Sequence, residues 1–277
     1  MNMKTRNLIP LLAGCGLCLV QITGYAQPFK DHISKQFSLQ KPAASTVVAI
    51  YNLLGSVKVE GYAGKQVIVE VDEVITAPNR ADVETGKKEF KLGFEQNADT
   101  IMAYIDQPYH TKPHNGSWSS HTNDRETPYM VRLEFTVKVP NEVNLRISTV
   151  NNGEIDVKDV YGALKLNNVN GGISIANAKG VTDAHTINGN LTAGYLSVPP
   201  QASSYYTLNG KLQVTYPANF AANLQLKSMN GKFFTDFTDT EILPAQVVKT
   251  QDKKANGTTF KLNKTTQVRI GKGGNLF

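Results

Sequence analysis

From about residue 150 the chain runs in short alternating bursts, GEIDV, GALKL, GGISI and GNLTA, each opening on a glycine. Apolar and polar positions alternate with period two, which predicts half-buried β-strands. The glycines Gly153, Gly162, Gly171, Gly180 and Gly189 are nine residues apart. Two positions after each stand Ile155, Leu164, Ile173, Thr182 and Leu191, and four after stand Val157, Leu166, Ile175, Ala184 and Ala193. Seven after come Val160, Val169, Ala178 and Ile187. Three apolar columns therefore repeat, with Thr182 as the exception, and are expected to form a continuous buried core.

An asparagine precedes the glycine only at alternate turns. Asn152-Gly153, Asn170-Gly171 and Asn188-Gly189 are eighteen residues apart, and Asn209-Gly210 and Asn230-Gly231 continue the series at twenty-one. Taken singly, Asn-Gly between apolar runs signals a tight antiparallel hairpin. A meander of hairpins, however, gives no reason for like residues to recur at like offsets. Parallel stacking gives one, because equivalent residues of successive units then lie about 4.8 Å apart. The expected architecture is all-β, a parallel β-solenoid or β-helix-like stack with two strands per coil of 18–21 residues. A β-sandwich built from the same strands is the alternative. Asparagines at the corners are expected to stack as a hydrogen-bonded ladder, and the glycines to permit positive φ there.

The rhythm has an early echo. Tyr51 to Val59 carries Gly55, Gly64 follows nine residues on, and Val67, Val69 and Val71 alternate. An insertion is expected at about 72–128, with a short helix over Asn79–Lys88 and strands over 89–94 and 100–105. Met130 to Val139 alternates cleanly into the main repeats. Val198-Pro199-Pro200-Gln201 and Tyr216-Pro217 lengthen the later coils, since proline fits only at edges and corners. Alternation returns in Thr259–Leu262 and Gln267–Ile270.

The first 26 residues read as a signal peptide. Lys4 and Arg6 precede an apolar run from Leu8 to Val20, and Gly24-Tyr25-Ala26 offers a small-x-small cleavage site. Leu12-Ala13-Gly14-Cys15 also matches a lipobox, which would lipidate Cys15. Pro10 interrupts the apolar stretch before Cys15, and the chain stays apolar after it, which favours ordinary cleavage. The domain expected after cleavage is 27–277, a single elongated solenoid carrying the insertion. Both cysteines, Cys15 and Cys18, fall in the leader, so disulfides, thiolate metal sites and thiol nucleophiles are excluded from the remainder. That remainder holds 27 Lys and Arg against 23 Asp and Glu, without a basic run, so nucleic-acid binding has no footprint. No later apolar stretch reaches the ~18 residues of a transmembrane helix. The expected location is the periplasm, the outer surface or the medium.

The step VKVP at 137–140, TVNNGEIDV at 149–157, then NGGISI, TINGNL and the closing VRIGKGG carry a resemblance. In an exported chain they resemble the bacterial "putative adhesin" family of domains of unknown function, and are similar to head-GIN adhesin-like envelope domains. The match covers roughly 45–75 and 130–274. It implies a β-helical exported domain with no established catalytic residues, so no site is carried over. The 72–128 segment has no reading from the family.

Candidate chemistry is sparse. His110, His114 and His121 fall with Trp118 in a Pro/Gly/Ser-rich stretch that reads as an irregular loop. Three imidazoles and Asp124 could bind zinc or copper, but the spacings do not preset them on one face, and solvated histidines are the default. The loop is nevertheless the best candidate binding surface, for a carbohydrate or a protein. Nonapeptide rhythms also occur in calcium-binding β-rolls, but the Asn-Gly turns offer at most Glu154 as carboxylate, against the several oxygens calcium needs. No cofactor is expected. A glycosidase on a β-helix needs two carboxylates about 5 to 9.5 Å apart. The outward series Asp156, Ser174, Thr192, Gln213 and its counterpart Lys165, Asp183 supply no such pair, and Asp236, Asp239 and Glu241 read as a polar cap. The expectation is a non-enzymatic envelope protein, an adhesin or scaffold. A carbohydrate-active enzyme and a periplasmic regulatory module are the alternatives. Asn152, Gly153, Asn170, Gly171, Asn188, Gly189, Asn209, Gly210, Asn230 and Gly231 are expected to be structural corners rather than a site.

Overall fold

The alternating segments are strands. A computed structural model describes the backbone of residues 26–106, 110–114, 117–120, 127–254 and 257–274, with side chains described for 26–106, 127–244 and 265–274. The signal segment therefore lies outside the described residues up to residue 25. In chain order come β1 (Phe29–Ser38), β2 (Val47–Tyr51), β3 (Val57–Tyr62), β4 (Gln66–Thr76), α1 (Arg80–Glu89), β5 (Lys91–Gln96), β6 (Thr100–Asp106), β7 (His110–His114) and β8 (Ser117–Ser120). The repeats follow as β9 (Met130–Pro140), β10 (Asn144–Asn151), β11 (Ile155–Lys158), β12 (Leu164–Asn170), β13 (Ile173–Ala178), β14 (Thr182–Asn188), β15 (Leu191–Tyr195), β16 (Ser204–Asn209) and β17 (Leu212–Thr215). The chain continues through β18 (Ala222–Leu226), β19 (Thr240–Lys254) and β20 (Gly257–Ile270).

The molecule is all-β, built on two large mixed sheets. One has the order β1-β4-β9-β3-β11-β13-β15-β17, the other β16-β14-β12-β10-β2-β6-β5. At each Asn-Gly corner from Gly153 to Gly210 the chain passes from the second sheet to the first, so these pairs do not close hairpins. Neighbouring units instead pair parallel. Ile155 faces Val57 and Ile173, Ile173 faces Leu191, and Leu191 faces Leu212. In the other sheet Leu145 pairs with Leu164 and Leu164 with Thr182. Inner side chains of both sheets join in one core cluster. At one end the added strands are antiparallel, β1 along β4, β4 along β9 and β5 along β6.

Part of the expected insertion is integral to this arrangement. β6 pairs parallel with β2, Val48 opposite Ile101 and Ile50 opposite Ala103, and so extends the second sheet. Helix α1 forms where expected, capped by Asn79, whose side chain accepts a hydrogen bond from the Asp82 amide. An added Cβ at its Gly86 would come within 2.8 Å of Ile75 and 2.9 Å of Tyr129, so glycine lets the helix lie close on β4. The stretch read as an irregular loop contains instead the hairpin β7–β8, with His110 opposite Ser120 and His114 opposite Ser117. Its strands flank Asn115-Gly116, an Asn-Gly pair at the two-residue spacing that favours a hairpin.

Two of the three expected core columns are buried throughout, Thr182 included. The third is not. Val160 and Ala178 are buried, whereas Val169 is half-buried and Ile187 is 40% exposed. The inner positions near the Asn-Gly corners belong to their neighbours Thr149, Asn168 and Thr186. The corner glycines also work differently from expectation. Among the described residues positive φ falls on Gly55, Asn152, Asp159, Asn177 and three C-terminal glycines, and not on Gly153, Gly171, Gly189 or Gly210. Those four are required by proximity. A Cβ on Gly171 would stand 1.9 Å from the Gly153 carbonyl oxygen, one on Gly189 2.2 Å from that of Gly171, and one on Gly210 2.0 Å from that of Gly189.

Candidate functional surface: the asparagine edge

The corners build three parallel files of residues. Outermost is the ladder. Asn170 Nδ2 donates to Asn151 Oδ1 (2.8 Å), Asn188 Nδ2 to Asn170 Oδ1 (2.7 Å), and Asn209 Nδ2 to Asn188 Oδ1 (2.8 Å). Each amide donates to the unit before it, so the ladder has a polarity and ends on the Asn209 carbonyl. Asn152 is not a rung. The first unit has one residue more between Thr149 and Gly153 than its successors have, and Asn152 takes up the excess with φ 49°. Asn230-Gly231 stands apart from the paired strands in a turn where the Gly231 amide donates to Ser228 Oγ at 2.6 Å.

Innermost is a file of donors, buried at Thr149, Asn168 and Thr186 and half-buried at Thr207. Thr149 Oγ1 donates to Gly55 O, Asn168 Nδ2 to Gly153 O, Thr186 Oγ1 to Gly171 O and Thr207 Oγ1 to Gly189 O, at 2.8–3.0 Å. Each meets a corner carbonyl of the preceding unit, which answers the requirement that buried backbone acceptors be paired. Between the two files, Val150, Val169, Ile187 and Leu208 point outward, the last two 40% and 51% exposed. An apolar stripe bordered by an amide ladder thus runs along this edge. The signal for it lay in TVNNG, NVNG, TING and TLNG, where a hydroxyl or amide residue recurs before the glycine and an aliphatic one follows it.

The outward files of the sheets are polar. Asp156, Ser174, Thr192 and Gln213 align in one, and Lys165 pairs with Asp183 in the other. Glu241 accepts a hydrogen bond from Arg269 Nη1 at 2.9 Å rather than standing free. Two carboxylates do converge on β4. Glu70 and Asp72 take the two ring nitrogens of His32, at 2.9 and 2.8 Å, and the Asp72 bond foremost raises the imidazole pKa. This trio lies on an open strand face, each carboxylate engaged with the imidazole, so it has neither the groove nor the free acid and base that glycoside hydrolysis needs. Among the described residues no three His, Cys, Asp or Glu side chains are grouped to hold a metal ion, and no helix is long and apolar enough to cross a membrane. Of the expected binding loop, His110 and His114 lie on β7 and Trp118 on β8, while His121 lies outside the described residues.

Among the last units of the stack a tyrosine cluster joins the core, with Tyr195 on β15, Tyr205 on β16 and Tyr216 just after β17. Tyr195 donates to Thr182 Oγ1, and Tyr205 joins it to Tyr216, at 2.6 Å and 3.1 Å. Burial raises the pKa of all three phenols. Thr182, the exception in the apolar column, is thereby supplied with a partner.

No family model and no curated protein matches the chain. Among solved structures it is similar to a "putative cell adhesion protein" from Clostridium sporogenes, at 10% identity and a TM-score of 0.41, over 69% of this chain and 100% of that one. It is also similar to "putative adhesins" from Parabacteroides merdae (6% identity, TM-score 0.22, 69% and 98% covered) and Bacteroides fragilis (11%, 0.20, 68% and 97%).

Proposed function

We propose that the chain is a non-enzymatic, exported cell-envelope protein, an adhesin or scaffold whose two sheets form the walls of a short β-solenoid. The observation that supports this is the asparagine edge. Its amide ladder is held rigid by stacking, and the apolar stripe beside it offers aliphatic side chains to an envelope or extracellular partner, carbohydrate or protein. Ladder amides suit hydroxyl-rich surfaces, because each can donate and accept. The stripe supplies the apolar contact that sugar faces and protein surfaces share.

Sedimentation with envelope preparations tests the reading. The purified exported chain is expected to co-sediment, and the double variant Ile187→Lys with Leu208→Lys to lose at least about tenfold in retention, since charge on the stripe must be desolvated on docking. Circular dichroism should be unchanged, because both side chains point outward. Retention indifferent to the double variant, or release of reducing ends from envelope polysaccharide, would contradict the proposal.

A further inference from the structure

The stack has an unfinished end. β17 is the last strand of one large sheet and β16 of the other, so both sheets present an open edge at the same end. Leu212, which continues the file Ile155, Ile173, Leu191, is 44% exposed where its predecessors are buried. The opposite edges, β1 and β5, differ in that their large apolar side chains Phe29, Ile33, Phe37, Leu92 and Phe94 are all half-buried against the core. Among the described residues ten large apolar side chains are exposed, and all but Met130 fall from Ile187 to Ile242.

The sequence contains the unit that fits this end. Advancing the last coil by its own repeat of twenty-one places Ser228 on Thr207, Asn230 on Asn209, Gly231 on Gly210 and Phe233 on Leu212. Ser228 would supply the inner hydroxyl, Asn230 Nδ2 the donor for the terminal Asn209 carbonyl, and Gly231 the missing Cβ that close approach demands. Yet this unit is unpaired. Met229 is 84% and Phe234 88% exposed, and Phe233 46%. Just before it, β18 is paired antiparallel with β20 up to Leu226 opposite Thr266, which ties the start of the unit to a different sheet.

We infer that this end is an interface between two copies of the chain, each lending its residues 228–234 as the next coil on the partner's β16–β17 edge. The exchange extends both sheets by strand addition and covers Leu212 with the partner's Phe233. It continues the ladder by one rung on each copy. A closed twofold pair results, since each copy has one end that the repeat fits and one donor unit. This inference stands apart from the envelope reading, because it concerns the chain's own copies only.

Three measurements on the exported chain, free of Cys15 and Cys18, decide it. Light scattering after size exclusion should give twice the monomer mass at micromolar concentration. Gly231→Ala should shift the mass to monomer, because a Cβ there would meet the Gly210 carbonyl as it would at the other stacked glycines, whereas in the free chain it would meet only the Ser228 side chain. Its circular dichroism should match the wild type, which separates lost association from lost folding. Finally, Leu212→Cys chains mixed with Phe233→Cys chains should yield a covalent dimer with a short bis-maleimide. A monomeric wild type, a dimer indifferent to Gly231→Ala, or crosslinking only within a chain carrying both cysteines would each overturn the inference. The last outcome would place the unit on its own stack instead.

Discussion

Gly171 and Gly172 stand side by side in the same corner and answer to different constraints. A Cβ at Gly171 meets the Gly153 oxygen at 1.9 Å, while one at Gly172 finds Asn190 O at 3.2 Å as its nearest neighbour. Gly171→Ala is expected to lower unfolding stability by about 3 kcal/mol or more, because the obstacle is backbone. Gly172→Ala should cost less than about 1 kcal/mol. Chemical denaturation of the two variants checks the contrast. Glu73 makes a second residue-scale prediction. It occupies the core face of β4 between Val71 and Ile75, opposite Asp31, and burial first, then the Asp31 charge, pushes its pKa up to about 7. A carboxyl raised in the folded state stabilises fully below its unfolded value, and that contribution is lost as pH rises to about 7. The loss amounts to roughly 3 kcal/mol at most. Glu73→Gln should therefore be more stable than the wild type at pH 8, and its stability should vary less between pH 4.5 and 7. Denaturant midpoints across that range would show no difference if Glu73 titrates normally.

At the scale of the strand and its corner, the inner donor file decides what each unit tolerates. Thr186→Val keeps the shape but removes the donor to Gly171 O, so about 1–2 kcal/mol should be lost. Asn168→Thr substitutes the residue type used at the three other corners of the file. It removes Asn168 Oδ1, a buried acceptor without a hydrogen-bond partner, and should be neutral within about 1 kcal/mol. Thermal unfolding of both variants is the check. These corners also show what was legible in the sequence. Period-two alternation and nine-residue spacing identified Ile155, Leu164, Ile173 and Leu191 as core, because burial on a pleated strand depends on side alone. The third column failed at Val169 and Ile187 because, where the chain turns out of the sheet, the inner place must answer backbone carbonyls. Apolar character then ceases to report burial. Asn-Gly misled in both directions for a related reason. Its local preference is the same whether the flanking strands pair with each other, as around Asn115-Gly116, or with neighbouring units, as from Gly153 to Gly210.

Over the whole molecule, parallel pairing at intervals of 18–21 residues makes contacts between units more numerous in kind than contacts within them. Such an arrangement carries its end effects openly, which is why the apolar exposure gathers at β16, β17 and the residues beyond. The opposite closure was not legible. β6 joins β2 across a long sequence separation, and nothing local in Thr100–Asp106 announces that partner. Asn230-Gly231, read as one more corner, continues the spacing without continuing the pairing, so a sequence repeat alone does not secure a stacked place. Successive Asn-Gly units from Gly153 to Gly210 lie parallel and in register. Methyl and amide NOE spectroscopy of the isotope-labelled chain tests this register most directly. Cross-strand contacts should link Ile155 to Ile173, Ile173 to Leu191 and Leu164 to Thr182. Contacts pairing β10 antiparallel with β11, or β12 with β13, across the Asn-Gly corners would contradict the account.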